Sequence, residues 1–241
     1  MVVEVRGEET VKRYRDVRFP RAEVLPDVPP RARSVGLYRD SKRAAQTSAE
    51  PVLLRAFSPA EASDGCVVVD IAEMTQLTGA ACLLVGRGPV WRLAERVAVV
   101  ENLECFLHFE RLGATADVAL YAGGRLSERV LDWLACGEMR DCRYVHCGDY
   151  DPVGLSEFVR LSKRVGDRVQ LFLPPDLEHL LRTYGKRKLL EASAPVLANL
   201  RACGVEAVMR TVALLDETGC GLEQEALLLP GLCACLSPEV S

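Results

Sequence analysis

The sequence predicts an α/β protein built on a four-stranded, mostly parallel sheet with flanking helices. Two observations predict it. After Gly86-Arg-Gly-Pro, short apolar runs bounded by polar turns alternate with amphipathic segments, the pattern of strand and helix taken in turn. The run at residues 97–100, Val-Ala-Val-Val, is apolar throughout, as a strand covered on both faces is.

The elements follow in order. The first thirty or so residues carry Pro20, Pro26, Pro29 and Pro30 and read as turns or linker. Residues 52–57 are apolar enough for a helix or a short strand, and residues 66–71 read as a strand. Between them, Ser58-Pro-Ala-Glu has the form of a capping box with Pro59 at the first helical position. Residues 97–100 form the first strand of the main sheet, and a helix over 103–112 turns Leu103, Phe106 and Leu107 inward. A second strand over 118–121 ends at Gly123-Gly124, and a helix follows over 127–134. The third strand is 142–146, the third helix 152–165 and the fourth strand 169–173, ending at Pro174-Pro175. Asp176 then caps a helix reaching about Tyr184. Beyond Lys186 the pattern is mostly helical, with Gly204 as a stop. This divides the chain into a basic α+β region over 1–92, a sheet domain over 93–185 and a mainly helical extension over 186–241.

Composition narrows the function. The 241 residues carry a net charge of −4, with 49% hydrophobic and 27% charged residues. The longest apolar stretches, 66–69 and 80–85, are far short of the roughly 20 residues that cross a bilayer, and no signal-peptide core follows Met1. A cytoplasmic protein with no membrane contact is expected. The ten cysteines are scattered without paired CxxC spacing, which favours buried reduced thiols. Bulk electrostatic coating of nucleic acid is excluded by the acidic balance. Residues 1–46, however, hold eleven Lys or Arg against seven acids, so this part suits contact with a phosphate backbone, or equally a solvated basic face.

The chemistry concentrates at the strand ends. Glu101 directly follows the first main strand, and Asp149-x-Asp151 follows the third, so all three fall at the carboxyl edge of the sheet, where open α/β folds bind ligands. Side chains at i and i+2 of an extended segment point the same way, so three carboxylates can converge on one hard cation. Mg²⁺ favours such oxygen ligands, keeps waters and completes its shell with phosphate. Gly148 allows a tight turn between strand and ligand, Pro152 and Gly154 leave helix amides open to an anion, and Gly123 and Gly124 let backbone approach phosphate. Taken alone, an Asp-x-Asp is more often a turn or a helix cap than a metal site. The conjunction with Glu101 is what carries weight.

Three stretches, Val-Val-Glu-Asn-Leu-Glu-Cys-Phe, Leu-Tyr-Ala-Gly-Gly-Arg-Leu and Tyr-Val-His-Cys-Gly-Asp-Tyr-Asp-Pro-Val-Gly-Leu, resemble the Toprim fold, a Rossmann-like sheet shared by topoisomerases, primases and several nucleases. The Gly-Asp-x-Asp-Pro-x-Gly form is similar to the topoisomerase VI A subunit and Spo11 branch. Val99-Val-Glu-Asn, Gly123-Gly124, Gly148-Asp149 and Leu222-Glu-Gln-Glu-Ala together resemble the nuclease subunit of Wadjet anti-plasmid systems, the JetD family. Tyr38-Arg-Asp-Ser-Lys-Arg resembles a stretch that precedes the Toprim domain there.

The resemblance implies a Mg²⁺- or Mn²⁺-dependent DNA endonuclease that works with SMC or condensin-like Wadjet subunits. Glu101 would be the catalytic acid or a metal ligand, Asp149 and Asp151 would be catalytic and carry the metal, and Glu223 and Glu225 would complete the site. A solvated acidic face explains these last two about equally well. Lys42 and Arg43, with Gly123 and Gly124, would contact DNA, and residues 1–92 would include a winged-helix-like region. Double-strand cutting needs two active sites, which suggests a homodimer. The chain is short for that family and lacks its long amino-terminal helical arm, as a fragment or a compact relative would. A transesterase of the topoisomerase VI A or Spo11 kind needs an upstream tyrosine nucleophile, and neither Tyr14 nor Tyr38 sits in a winged-helix motif. A third reading keeps the Toprim scaffold without catalysis, as a DNA- or partner-binding module.

Overall fold

The computed structural model describes residues 47–86, Gly88 and 90–229. Its centre is a six-stranded sheet with the order β4-β1-β6-β5-β7-β8. The strands are β1 (Glu50–Ala56), β4 (Ala81–Val85), β5 (Arg96–Val100), β6 (Val118–Tyr121), β7 (Arg143–Cys147) and β8 (Val169–Leu171). Strands β6, β5, β7 and β8 run parallel, whereas β1 pairs antiparallel with both β4 and β6. The four strands read from the sequence are thus the parallel half. In the antiparallel half, β1 comes from the 52–57 run, which left helix and strand open, and β4 from the apolar run 80–85, to which the sequence pattern assigned no element.

Burial explains the composition of the central strands. Val97, Ala98, Val99 and Val100 are all at most 1% exposed, as are Val118, Ala119 and Leu120. Helices lie on both faces. Phe106 of α2 (Leu103–Leu107) packs on Tyr121 at 5.6 Å between ring centroids. On the opposite face, Phe158 of α4 (Pro152–Val165) packs on His146 at 5.7 Å. Between them in sequence lies α3 (Glu128–Ala135), preceded by α1 (Ile71–Thr78), which follows a two-stranded hairpin of β2 (Glu61–Ser63) and β3 (Val68–Asp70). After β8 come α5 (Leu177–Tyr184), α6 (Arg187–Glu191), α7 (Ala194–Leu200) and α8 (Glu206–Thr218), then a 3-10 turn over Gln224–Leu228.

Three local expectations are corrected. The helix expected over 103–112 is α-helical only over Leu103–Leu107, followed by a 3-10 turn over Phe109–Arg111, and of the three residues expected inward only Phe106 is buried while Leu103 and Leu107 are exposed. Ser58-Pro-Ala-Glu starts no helix: Ser58 Oγ bonds Asp117 Oδ1 at 3.2 Å, and Ala60 O accepts the Ile71 N–H at 2.9 Å, so the segment is drawn into the hairpin. The strand expected over 66–71 ends at Asp70, whose side chain accepts the Glu73 N–H at 2.8 Å and caps α1. The eight described cysteines are free, but only Cys105, Cys142 and Cys147 are buried, while Cys66 and Cys82 are exposed. Among the described residues no helix is long and apolar enough to cross a membrane.

Candidate functional site

Neighbouring parallel strands β5 and β7 place Val100 opposite Cys147, so Glu101 and the Gly148-Asp149 loop leave the sheet side by side. The Glu101 N–H donates to Cys147 O at 3.0 Å, and Glu101 O accepts the Gly124 N–H at 3.1 Å. One residue therefore ties together the loops after β5, β6 and β7. Gly123 and Gly124 have φ of +65° and +84°, a left-handed turn that glycine makes without steric penalty. The Gly124 amide is engaged by this bond, so any approach to phosphate there would use other groups of the turn.

Gly148 makes room for the Glu101 carboxylate. A Cβ at position 148 would lie 2.8 Å from Glu101 Oε2 and 2.7 Å from His146 Cε1. The Asp149 N–H faces the same Glu101 oxygen at a long 3.4 Å. Gly154 is needed for a similar reason: its Cβ would come within 2.3 Å of Asp149 O, so only glycine lets the first turn of α4 pass this close to the loop.

The end of the described chain closes the site. Tyr150 and Leu222 exchange backbone hydrogen bonds of 2.9 and 3.0 Å, and Lys186 and Gly221 exchange bonds of 2.8 and 3.1 Å. This return brings the Gln224 N–H to Asp149 Oδ1 at 2.8 Å. Asn102 caps α2 through its Oδ1 and donates from Nδ2 to Glu225 Oε1 at 2.6 Å. The two motifs Glu101-Asn102 and Glu223-Gln-Glu, far apart in sequence, meet here. Glu223 is paired with Lys186 Nζ. Asp151 takes the capping role that an Asp-x-Asp so often has: its Oδ1 accepts the Gly154 N–H at 2.8 Å. The amides at the start of α4, expected to lie open to an anion, are thus capped by Asp151 itself.

The electrostatics are those of crowded, half-buried acids. Burial, then the charges of Asp149, Asp151 and Glu157, push the Glu101 carboxyl up to about 7. Burial, then Asp151, Glu225 and Glu223, lift Asp149 to about 6 against the opposing bond from Gln224. Asp151 is raised too, first by burial, although backbone bonds from Gly154 and Val153 oppose it. Burial alone lowers the His146 imidazole to about 4. His146 Nδ1 and both amide atoms of the fully buried Gln224 have no hydrogen-bond partner among the described residues. Leaving such atoms bare costs on the order of 1–3 kcal/mol each, so ordered water is expected beside the acids.

Among the described residues, no group of three or more His, Cys, Asp and Glu side chains is arranged to hold a metal ion. The reason is visible in their bonds: Asp151 caps a helix, Glu223 pairs with Lys186 and Glu225 bonds Asn102. The donor chemistry nevertheless suits Mg²⁺, which takes one or two carboxylates directly and keeps several waters. A cation would also relieve the repulsion that raises Glu101 and Asp149.

Of the residues expected from the sequence, Glu101, Asp149, Asp151, Glu223 and Glu225 come to one edge of the sheet, with Gly123 and Gly124 adjoining. Lys42 and Arg43, and the upstream Tyr14 and Tyr38, lie outside the described residues. Sequence reasoning missed Asn102, His146 and Gln224. Each stands inside or beside a motif already noted, but their parts depend on which loops meet. No curated protein matches the sequence. Residues 72–230, about two thirds of the sequence and the whole acidic edge, match the family model described as Wadjet protein JetD, C-terminal, and the chain belongs to that family.

Proposed function

We propose that this chain is the Toprim-type catalytic core of a DNA endonuclease in a Wadjet anti-plasmid complex, hydrolysing phosphodiester bonds with Mg²⁺ or Mn²⁺. The observation that carries the reading is the meeting of Glu101, Asp149 and Glu225 on one half-buried carboxylate cluster at the carboxyl edge of the sheet. Asp149 is the residue best placed to hold the ion, because its loop is pinned by Gln224 and Leu222. Glu101 stands beside it, and Asp151, Glu223 and Glu225 are the further carboxylates that would help hold the ion. Bound there, the ion would stabilise charge on the phosphoryl group and lower the pKa of a coordinated water.

The protein's own groups supply the rest. Before a cation binds, burial and the neighbouring acids raise Glu101 to about 7, so it carries a proton near physiological pH; with the ion in place it would serve as an anionic ligand or general base. The surrounding assembly belongs to the same proposal: DNA as substrate, condensin-like partner subunits, a homodimer for double-strand cutting, and a cytoplasmic setting. Hydrolysis is preferred to transesterification. Neither upstream tyrosine, Tyr14 or Tyr38, sits in a winged-helix motif, and Tyr144 and Tyr150 are buried, the Tyr150 hydroxyl donating to Phe172 O at 3.1 Å.

Plasmid DNA incubated with the purified chain and Mn²⁺ or Mg²⁺ tests the reading. Nicked or linear product is expected from the wild type and none from Glu101→Ala or Asp149→Ala, with the fold of both variants retained by circular dichroism. Wild-type cutting by both variants would sink it. A covalent protein–DNA adduct would replace it with the transesterase reading, and cation binding without any cutting would favour a binding scaffold.

A further inference from the structure

A polyanionic strand does not settle on five carboxylates without fixed cations nearby, yet most cations around this edge are already engaged. Lys186 is paired with Glu223. Arg160 bonds Glu157, Glu128 and Leu126 O, and Arg164 pairs with Glu128 and Asp132. Arg125 differs. It directly follows Gly123-Gly124, the turn whose amide is bonded to Glu101 O, so its backbone is fixed next to the acidic loop.

Its side chain is 66% exposed and held by one bond, Nε to Glu157 Oε1 at 2.7 Å. Glu157 is 3% exposed and is shared with Arg160 Nη1 at 2.5 Å. The Arg125 guanidinium is therefore oriented through Nε, while Nη1 and Nη2 have no partner among the described residues. That leaves a planar fork of the kind that grips two phosphate oxygens. Arg125 also forms one wall of a cleft of about 460 Å³ that runs past Tyr121, Gly123 and Leu126 to Pro51 and Val52. The cleft and the acidic edge meet at the Gly123-Gly124 turn, where the Gly124 N–H is bonded to Glu101 O.

We propose that Arg125 binds a backbone phosphate of the DNA strand flanking the one that reacts, and so positions the strand against the acidic edge. This rests on the nuclease reading and names the contact that would orient its substrate. Glu157 serves as the positioning residue behind it, holding the fork toward solvent.

The test is binding of a fluorescently labelled DNA duplex by the full chain in EDTA, where no cutting occurs, followed by anisotropy across a series of salt concentrations. Arg125→Gln is expected to weaken binding about tenfold and to reduce the slope of log affinity against log salt by about one. Arg125→Lys should keep the slope and recover part of the affinity. A structural role in neutralising Glu157 would change melting temperature without changing the slope. If R125Q fails to fold, the double variant Arg125→Gln/Glu157→Gln leaves no orphaned charge and reads the same slope.

An unchanged slope and affinity in a folded R125Q variant, with wild-type protein that cuts DNA, overturns the inference and leaves the nuclease reading standing. An Arg125-dependent slope in a protein that never cuts with Mg²⁺ or Mn²⁺ overturns the nuclease reading and keeps the phosphate contact. Absence of any DNA binding by the wild type overturns the Arg125 proposal outright.

Discussion

Replacing Glu101 with Gln should make the protein more stable at alkaline pH. The carboxyl is raised from 4.5 to about 7, first by burial and then by its acidic neighbours. A folded-state pKa above the unfolded value means that the folded protein holds the proton more tightly. The contribution of this group to stability is therefore greatest below about pH 4.5, falls as pH rises through the window between about 4.5 and 7, and stays reduced above it. Taken at face value the shift corresponds to a ceiling of about 3 kcal/mol. Glu101 is only half-buried and shares its repulsion with Asp149, so a discounted gain of about 1–2 kcal/mol is the reasoned expectation. For a domain of this size that is a rise of roughly 3–6 °C in melting temperature. Gln keeps the shape and an acceptor for the Asp149 N–H. Thermal melts in EDTA of wild type and E101Q should differ at pH 8 and converge at pH 4. A variant equally destabilised at both pH values would refute the reasoning, because it would mean that Glu101 contributes through contacts rather than suffering from charge.

Two further outcomes follow from the same geometry. Gly154→Ala would force a Cβ to 2.3 Å from Asp149 O, and since backbone cannot yield as a side-chain tip does, a loss of about 1–3 kcal/mol or more is expected in urea denaturation; a shift of the midpoint smaller than that of an ordinary surface alanine would contradict the close approach. Calorimetric titration with Mn²⁺ should show affinity climbing between about pH 5 and 8 and levelling off above, with proton release detectable as buffer-dependent heat, because Glu101 near 7 and Asp149 near 6 must lose protons to bind a cation. Affinity independent of pH across that range would remove these two carboxylates from the metal's shell.

The parallel half of the sheet was legible because its strands are short and bounded by turns, with continuous apolar runs at 97–100 and 118–121 and only single polar interruptions such as His146 and Gln170 in β7 and β8. Pro152 and the strand before it even fix the start of α4. The antiparallel half was not, since an apolar run such as 52–57 says nothing about its partner; β1 becomes a strand by inserting between β4 and β6. Ser58-Pro-Ala-Glu misled for a related reason: a local capping pattern lost to the long-range bond with Asp117. At the site, Glu101 and Asp149 could be placed together from the rule for strand ends. Asp151 ahead of Pro152 is itself a local helix-cap pattern, and its carboxylate does turn to Gly154; nothing local said that Gln224 would reach Asp149.

That last contact explains why the site depends on the return of the chain. Three like charges at one sheet edge repel, and burial sharpens the repulsion. What opposes it in the protein itself is a set of backbone donors: Gln224 N–H on Asp149, and Gly154 and Val153 on Asp151. The first arrives only because Tyr150–Leu222 and Lys186–Gly221 pair as isolated bridges. Those bridges also deliver Glu223 and Glu225, so the segment that steadies Asp149 adds negative charge to it. Glu223 is offset by Lys186 and Glu225 is bonded by Asn102, yet both still raise Asp149. On the proposed metal reading, that residual charge is what a bound cation would neutralise, and the Glu-Gln-Glu segment would then serve the site as well as clamp it.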